Sequence, residues 1–147
     1  MSKIWTIGYE QATQDEVIGT LARAGVEVLA DVRALPLSRR PGFSKTALAA
    51  AAKDAGIEYR HMKALGTPAE GRAAARRHDH DALARIYAGQ LELPEAIAAA
   101  AELRDLAQER RVALLCLERD AAVCHRRLLI EAVMPDFEAV DLVPDGG

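Results

Sequence analysis

Residues 111–118, RVALLCLE, hold an apolar run from Val112 to Leu117 that is closed by charge at both ends. A run this short reads as a strand, and a strand with no polar alternation needs cover on both faces. That condition is met in layered α/β folds with a largely parallel sheet, and the remaining segments fit it. KIWTIG reads as a first strand ending at Gly8. TQDEVIGTLARAG carries a capping box (Thr13 with Glu16), an apolar face of Val17, Ile18 and Leu21, and Gly25 where a helix C-cap is wanted. VEVLADVR is a second strand, closed by Asp31 and Arg33.

ALPLSRRPGFS has the prolines and glycine of a loop. Ser44 is the expected N-cap of a helix over KTALAAAAKDAG, and IEYRHM alternates as a third strand. KALGTPAEGRAAARRHDHD reads as a polar, basic loop with one helical turn and a solvated charged face. Helical patterns resume from Asp81 to Ala88 and from Pro94 to Ala107, CHRRLLIEAV is helical, and FEAVDLV is a final strand. The expected fold is therefore a single three-layer α/β domain over residues 1–147, Rossmann-like, with a mostly parallel sheet. At 147 residues the chain is the size of one ordinary domain.

Net charge −3 gives no global basic field, so strong sequence-independent binding to duplex nucleic acid is not expected from charge. No apolar window approaches the ~18 residues of a membrane span. Two cysteines do not make a disulfide framework, and a cytoplasmic protein with reduced thiols is the expectation.

Open α/β sheets bind ligands beyond the carboxyl ends of their strands. That rule selects Gly8, Tyr9 and Glu10, Asp31 and Arg33, Tyr59 and His61, and Cys116 and Glu118. On a helix over 122–133, Ala122, Leu129 and Val133 centre the apolar face. Arg126 lies within that face, His125 near its margin, and Cys124, Arg127 and Glu131 opposite. An inward arginine in a first turn must pair with a carboxylate, with Asp31 or Glu118 as candidates, or hold an anion at the helix N-terminus. Cys116 reads as a protected strand thiol and Cys124 as the more reactive one, beside His125 and Arg126. A cysteine-phosphatase loop is disfavoured, because Ile130 stands where its arginine is needed. Cys116, Cys124, His125 and His61 could be nominated for zinc, but C-x7-C-H lacks the usual paired spacing, and neither metal nor cofactor is expected. Ser38 and Arg39 sit in a constrained loop beside Phe43, which suggests a phosphate contact with base stacking, although a plain surface loop fits nearly as well.

TIGYE, DVRALPLSRRPGFSKTAL, GIEYRHMKALG and LLCLERDAAVCHRRLL follow one another along nearly the whole chain. Together they resemble the motifs of the domain of unknown function 488 family. The resemblance implies an α/β domain with a polar site. It points to Gly8, Asp31, Arg33, Pro36, Ser38, Arg39, Phe43 and Ser44, and then to Tyr59, His61, Leu65, Gly66, Cys116, Glu118, Cys124, His125 and Arg126. Tyr9, Glu10 and Thr67 depart from the family pattern.

The leading expectation is a small enzyme acting on a phosphate-bearing substrate, a nucleotide or nucleic-acid end. Arg33, Arg39 and Arg126 would clamp the anion, and Asp31, Glu118 or His61 would supply acid–base chemistry. Tyr59 or Phe43 would stack on a base, with Gly8, Ser38 and His125 completing the binding set. One rival is a non-catalytic ligand or nucleic-acid binding module. Another is a cysteine-dependent or metal-assisted hydrolase centred on Cys124.

Overall fold

A computed structural model describes residues 2–119 and 124–145. Five strands form one parallel sheet: β1 (Lys3–Gly8), β2 (Val28–Asp31), β3 (Glu58–His61), β4 (Val112–Cys116) and β5 (Glu138–Leu142). Their order across the sheet is β3-β2-β4-β1-β5, which puts the apolar run β4 at the centre, buried at every residue. The helices are α1 (Gln14–Arg23), α2 (Lys45–Asp54), α3 (Ala69–Arg76), α4 (His80–Leu91), α5 (Pro94–Glu109) and α6 (His125–Val133). None among the described residues is long and apolar enough to cross a membrane.

Strand alternation divides the core between the two faces. Ile4, Val28, Ala30, Val112 and Leu114 pack with Leu103 of α5 and with Leu129 and Ile130 of α6. Ile7, Leu29, Ala113 and Leu115 pack with Val17 and Leu21 of α1 and with Leu48 and Ala52 of α2. The expected three layers are present. The chain leaves β1 towards one face and β4, its neighbour, towards the other, so the switch point lies between Gly8 and Cys116, a register pair.

Local signals account for several helix ends. Thr13 and Glu16 form the capping box before α1, and Gly25 follows that helix at φ 75°. Pro94 opens α5. Ser44 sits at the N-cap of α2 but does not cap it. Its hydroxyl instead accepts from the Ser38 amide at 3.1 Å and donates to the Ser38 carbonyl, closing the loop on itself.

Two segments differ from the sequence reading. The stretch expected to be a basic loop contains a 3-10 turn (Lys63–Leu65) and the two-turn helix α3. Its Ala-rich composition favours helix, and Gly71 and Ala74 are buried on the inner face. The last helix begins at His125 with Cys124 as N-cap, so Ala122, placed on its apolar face from the sequence, lies outside the described residues.

Candidate functional site

Beyond the switch point lies a crevice of about 450 Å³. It is lined by Arg33, Cys116, Glu118 and His125 from the strand ends and the start of α6, by Arg72 and Arg76 of α3 with His78 just beyond that helix, and by the exposed Leu35 and Leu37.

Strand alternation brings Asp31 to the α1–α2 side, where it is fully buried against Arg33. Arg33 Nε donates to Asp31 Oδ1 at 2.8 Å and its Nη2 to Oδ2 at 2.7 Å, a bidentate pair. Its Nη1 donates to the Phe43 carbonyl at 2.7 Å and to the Tyr9 hydroxyl at 3.2 Å. Burial opposes the charge on Arg33, but the Asp31 hydrogen bonds and charge hold its pKa well above the ordinary value. Tyr59 also donates to Asp31, and its phenol is pushed up by burial and by that carboxylate. The buried ion pair expected of Arg126 thus belongs to Arg33. This guanidinium braces strand ends and loops, and most of its donors are already committed within the protein.

Cys116 extends the alternation of Leu114 and so faces α6. Its thiol donates to Glu118 Oε2 at 3.3 Å and lies 3.5 Å from His125 Nδ1, and the Cys124 sulfur lies 3.6 Å from that same nitrogen. His125 Nε2 is 2.8 Å from the Val32 carbonyl. A carbonyl only accepts, so Nε2 carries the proton and Nδ1 faces both sulfurs. Burial raises the pKa of Cys124, but the Cys116 hydrogen bond, His125 and Arg126 outweigh it and bring the thiol well below its usual range. Cys116 is pushed well up by its hydrogen bond to Cys124, by burial, and by the charges of Cys124 and Glu118. Burial disfavours a charged His125, yet the Cys124 thiolate lifts its pKa above the ordinary histidine value. Burial and the same thiolate push Glu118 up to about 6.

Cys124 is not on the solvent side as the helical phase from 122 implied. It is buried as the N-cap, because α6 starts only at His125, and the inward arc of that helix is His125, Arg126, Leu129 and Ile130. Arg126 is fully buried as expected, with Nε donating to Cys124 Sγ at 3.4 Å and Nη2 to the Glu118 carbonyl. Among the described residues it forms no ion pair with Asp31 or the Glu118 carboxylate, so the four-residue convergence is only partial. Arg33 and Glu118 reach the crevice, while Asp31 and Arg126 are not among its lining residues.

Removing Arg126 strands the Glu118 carbonyl and a packed volume, and Arg126→Ala is expected to cost about 2–3 kcal/mol. Among the described residues the Arg127 side chain bonds Asp141 alone, both side chains about two-fifths exposed, and Arg127→Ala should stay within about 0.5 kcal/mol. Paired thermal melts check this. Equal shifts would contradict the burial difference.

Gly8 is required because a Cβ there would lie 1.7 Å from the Glu118 carbonyl oxygen. Phe43 cannot stack on a base: it is fully buried and stacked on Tyr9 at 4.5 Å. Tyr59 is turned to Asp31 and does not line the crevice. His61 opens to a different hollow with Lys63 and Glu102, and its Nε2 is held 2.8 Å from the Arg33 carbonyl. Ser38 accepts from the Arg40 amide within its own turn, and Arg39 is exposed outside the crevice lining. Sequence reasoning missed Arg72 and Arg76. Their i, i+4 spacing puts them on one helix face, and that was the available signal.

These features define a small α/β protein with a polar crevice at the switch point of an all-parallel sheet. The family described as Domain of unknown function DUF488 matches residues 13–133, and the chain belongs to it. No curated protein matches the chain. No solved structure matches it either.

Proposed function

We propose that the chain is an enzyme acting on a phosphate-bearing substrate of nucleotide character, bound in this crevice. The observation that carries the reading is the shared lining: Arg72, Arg76 and His78 border the same space of small-molecule size as Glu118 and His125. Arg76 is exposed and Arg72 is half-buried with one donor on the Thr67 carbonyl, so both keep donors for an anion. The anion-holding role thereby passes from Arg33, Arg39 and Arg126 to α3. Leu35 and Leu37, 53% and 72% exposed, offer an apolar lip for a flat base in place of Phe43 and Tyr59. Glu118 is the acid–base candidate at the centre, because Asp31 is locked to Arg33 and His61 faces elsewhere.

The test is titration of the protein with nucleoside monophosphates and with inorganic phosphate, followed by calorimetry or NMR. Wild-type protein should bind, and Arg72→Ala with Arg76→Ala should weaken binding at least about tenfold, or about 1.4 kcal/mol. Arg76→Ala alone should leave stability within about 0.5 kcal/mol, since its side chain is exposed. Unchanged affinity in the double variant would sink the reading. If binding is present but Glu118→Gln turns over every phosphate ester as the wild type does, Glu118 is not the acid–base group.

A further inference from the structure

The two cysteines and His125 are closer to one another than packing requires. Cys116 Sγ, Cys124 Sγ and a nitrogen of His125 all lie within 4.8 Å of one another. The sulfur-to-Nδ1 distances are 3.5 and 3.6 Å. Zinc bound to sulfur at ~2.3 Å and to imidazole nitrogen at ~2.0–2.1 Å in a tetrahedron separates the two ligand atoms by ~3.6 Å. The protein therefore already holds two edges of such a tetrahedron at their coordinated lengths.

We propose that Cys116, Cys124 and His125 form a Cys2His site for a divalent metal ion of zinc's chemistry, with its fourth position open to the crevice. Three further observations support it. The Val32 carbonyl fixes Nε2 as the protonated nitrogen, which leaves Nδ1 as the ligand and supplies the outer hydrogen bond common to metal-bound histidines. The Arg126 Nε–H points at Cys124 Sγ from 3.4 Å, as a donor to a metal-bound thiolate would. Cys116 and His125 line the crevice while Cys124 and Arg126 do not, so the ion would be backed by protein and face the substrate side. The charges also balance. Two thiolates and the Glu118 carboxylate offset one divalent ion and the Arg126 guanidinium, so the buried assembly is neutral.

His61, once nominated as a fourth ligand, is excluded by its place in another hollow. Glu118 is bonded to Cys116 but is not within the mutual ligand distance, which leaves it beside the open position instead of in it. Three protein ligands with an open position are the arrangement of catalytic zinc, whereas structural zinc takes four. The spacing C-x7-C-H concealed this, because the first ligand comes from β4 and the other two from the start of α6.

The test uses the full chain, reduced and loaded separately with zinc and with cobalt(II). One metal per chain is expected by elemental analysis. Cobalt should give a thiolate-to-metal charge-transfer band and the visible bands of a tetrahedral ion. Both cysteines should resist alkylation until a chelator is added. Cys116→Ser and Cys124→Ser should each lose the metal while circular dichroism shows the fold retained. Where one of them fails to fold, His125→Gln and the alkylation pattern of the wild type decide the matter. No stoichiometric metal in the reduced wild type, a cobalt spectrum without the sulfur band, or metal retained by folded Cys124→Ser would each overturn the proposal. Metal binding and anion binding are read separately, so a negative result for Arg72 and Arg76 leaves the metal site standing, and the reverse holds too.

Discussion

Asp31→Ala is expected to destabilise the protein by about 3–5 kcal/mol, which for a chain of this size lowers Tm by roughly 10 °C. Asp31 is fully buried, and its two oxygens carry both legs of the fork from Arg33 and the Tyr59 hydroxyl. Alanine would leave Arg33, itself only 5% exposed, as a buried cation held by a carbonyl and a phenol. The charge is not released by deprotonation, because arginine stays protonated in proteins. The loss therefore reflects a stranded partner more than the net worth of the pair. That distinction predicts a second result: Asp31→Ala combined with Arg33→Met should recover much of the stability, since apolar replacement of a whole buried pair is often close to neutral. Denaturant midpoints for the two single variants and the double variant measure it. A single variant within about 1 kcal/mol of wild type would show that the pair is not structurally important.

The pair was legible, although the reading assigned it elsewhere. Asp31 and Arg33 stand two residues apart at a strand end, a spacing that points both side chains to one face. Arg126 is inward too, but the arginine with a carboxylate partner is Arg33, two residues from Asp31. β4 announced itself through its unbroken apolar run, and the alternation within it put Cys116 on the α6 side. The first helix was equally plain, because a capping box and a trailing glycine are local signals.

What failed were statements about depth and partners, which depend on contacts distant in sequence. Phe43 looked like a free ring in a polar loop, but Tyr9, 34 positions earlier, occupies its face. Cys124 looked solvent-facing because the helix was started too early. As N-cap it follows no helical phase, and its sulfur turns in toward His125 and Arg126. The basic stretch before α4 was dismissed as a solvated face. Charge on an Ala-rich segment carries no sign of what it borders, and only the fold puts Arg72 and Arg76 in one crevice with Glu118.

Gly8→Ala is expected to be as damaging as any single methyl in this protein, at or above the ~3 kcal/mol upper end of ordinary overpacking. The new Cβ would lie 1.7 Å from the Glu118 carbonyl oxygen, 2.4 Å from its carbonyl carbon and 2.9 Å from Arg119 Cα. All three are main-chain atoms, so no side chain can swing aside. The main chain there is also tied down. Glu10 donates its amide to the Leu117 carbonyl at 2.8 Å, Arg119 donates its amide to Glu10 Oε1 at 3.2 Å, and Arg126 holds the Glu118 carbonyl. Relief requires residues 118–119 to lift off β1. That movement drags the Glu118 carboxylate out of line with Cys116 and breaks the Arg126 contact. Stability and site geometry should therefore fall together, and folded Gly8→Ala protein should bind anions or metal more weakly than wild type. Gly89→Ala is the matched control. Gly89 is exposed in α4, and a Cβ there meets nothing within 4 Å. Helix propensity alone predicts a gain of about 0.5–1 kcal/mol for it. Melts of the two variants should move in opposite directions. If Gly8→Ala melts with wild type, the close passage of β1 beneath residues 118–119 is wrong, and the placement of Glu118 over the crevice is wrong with it.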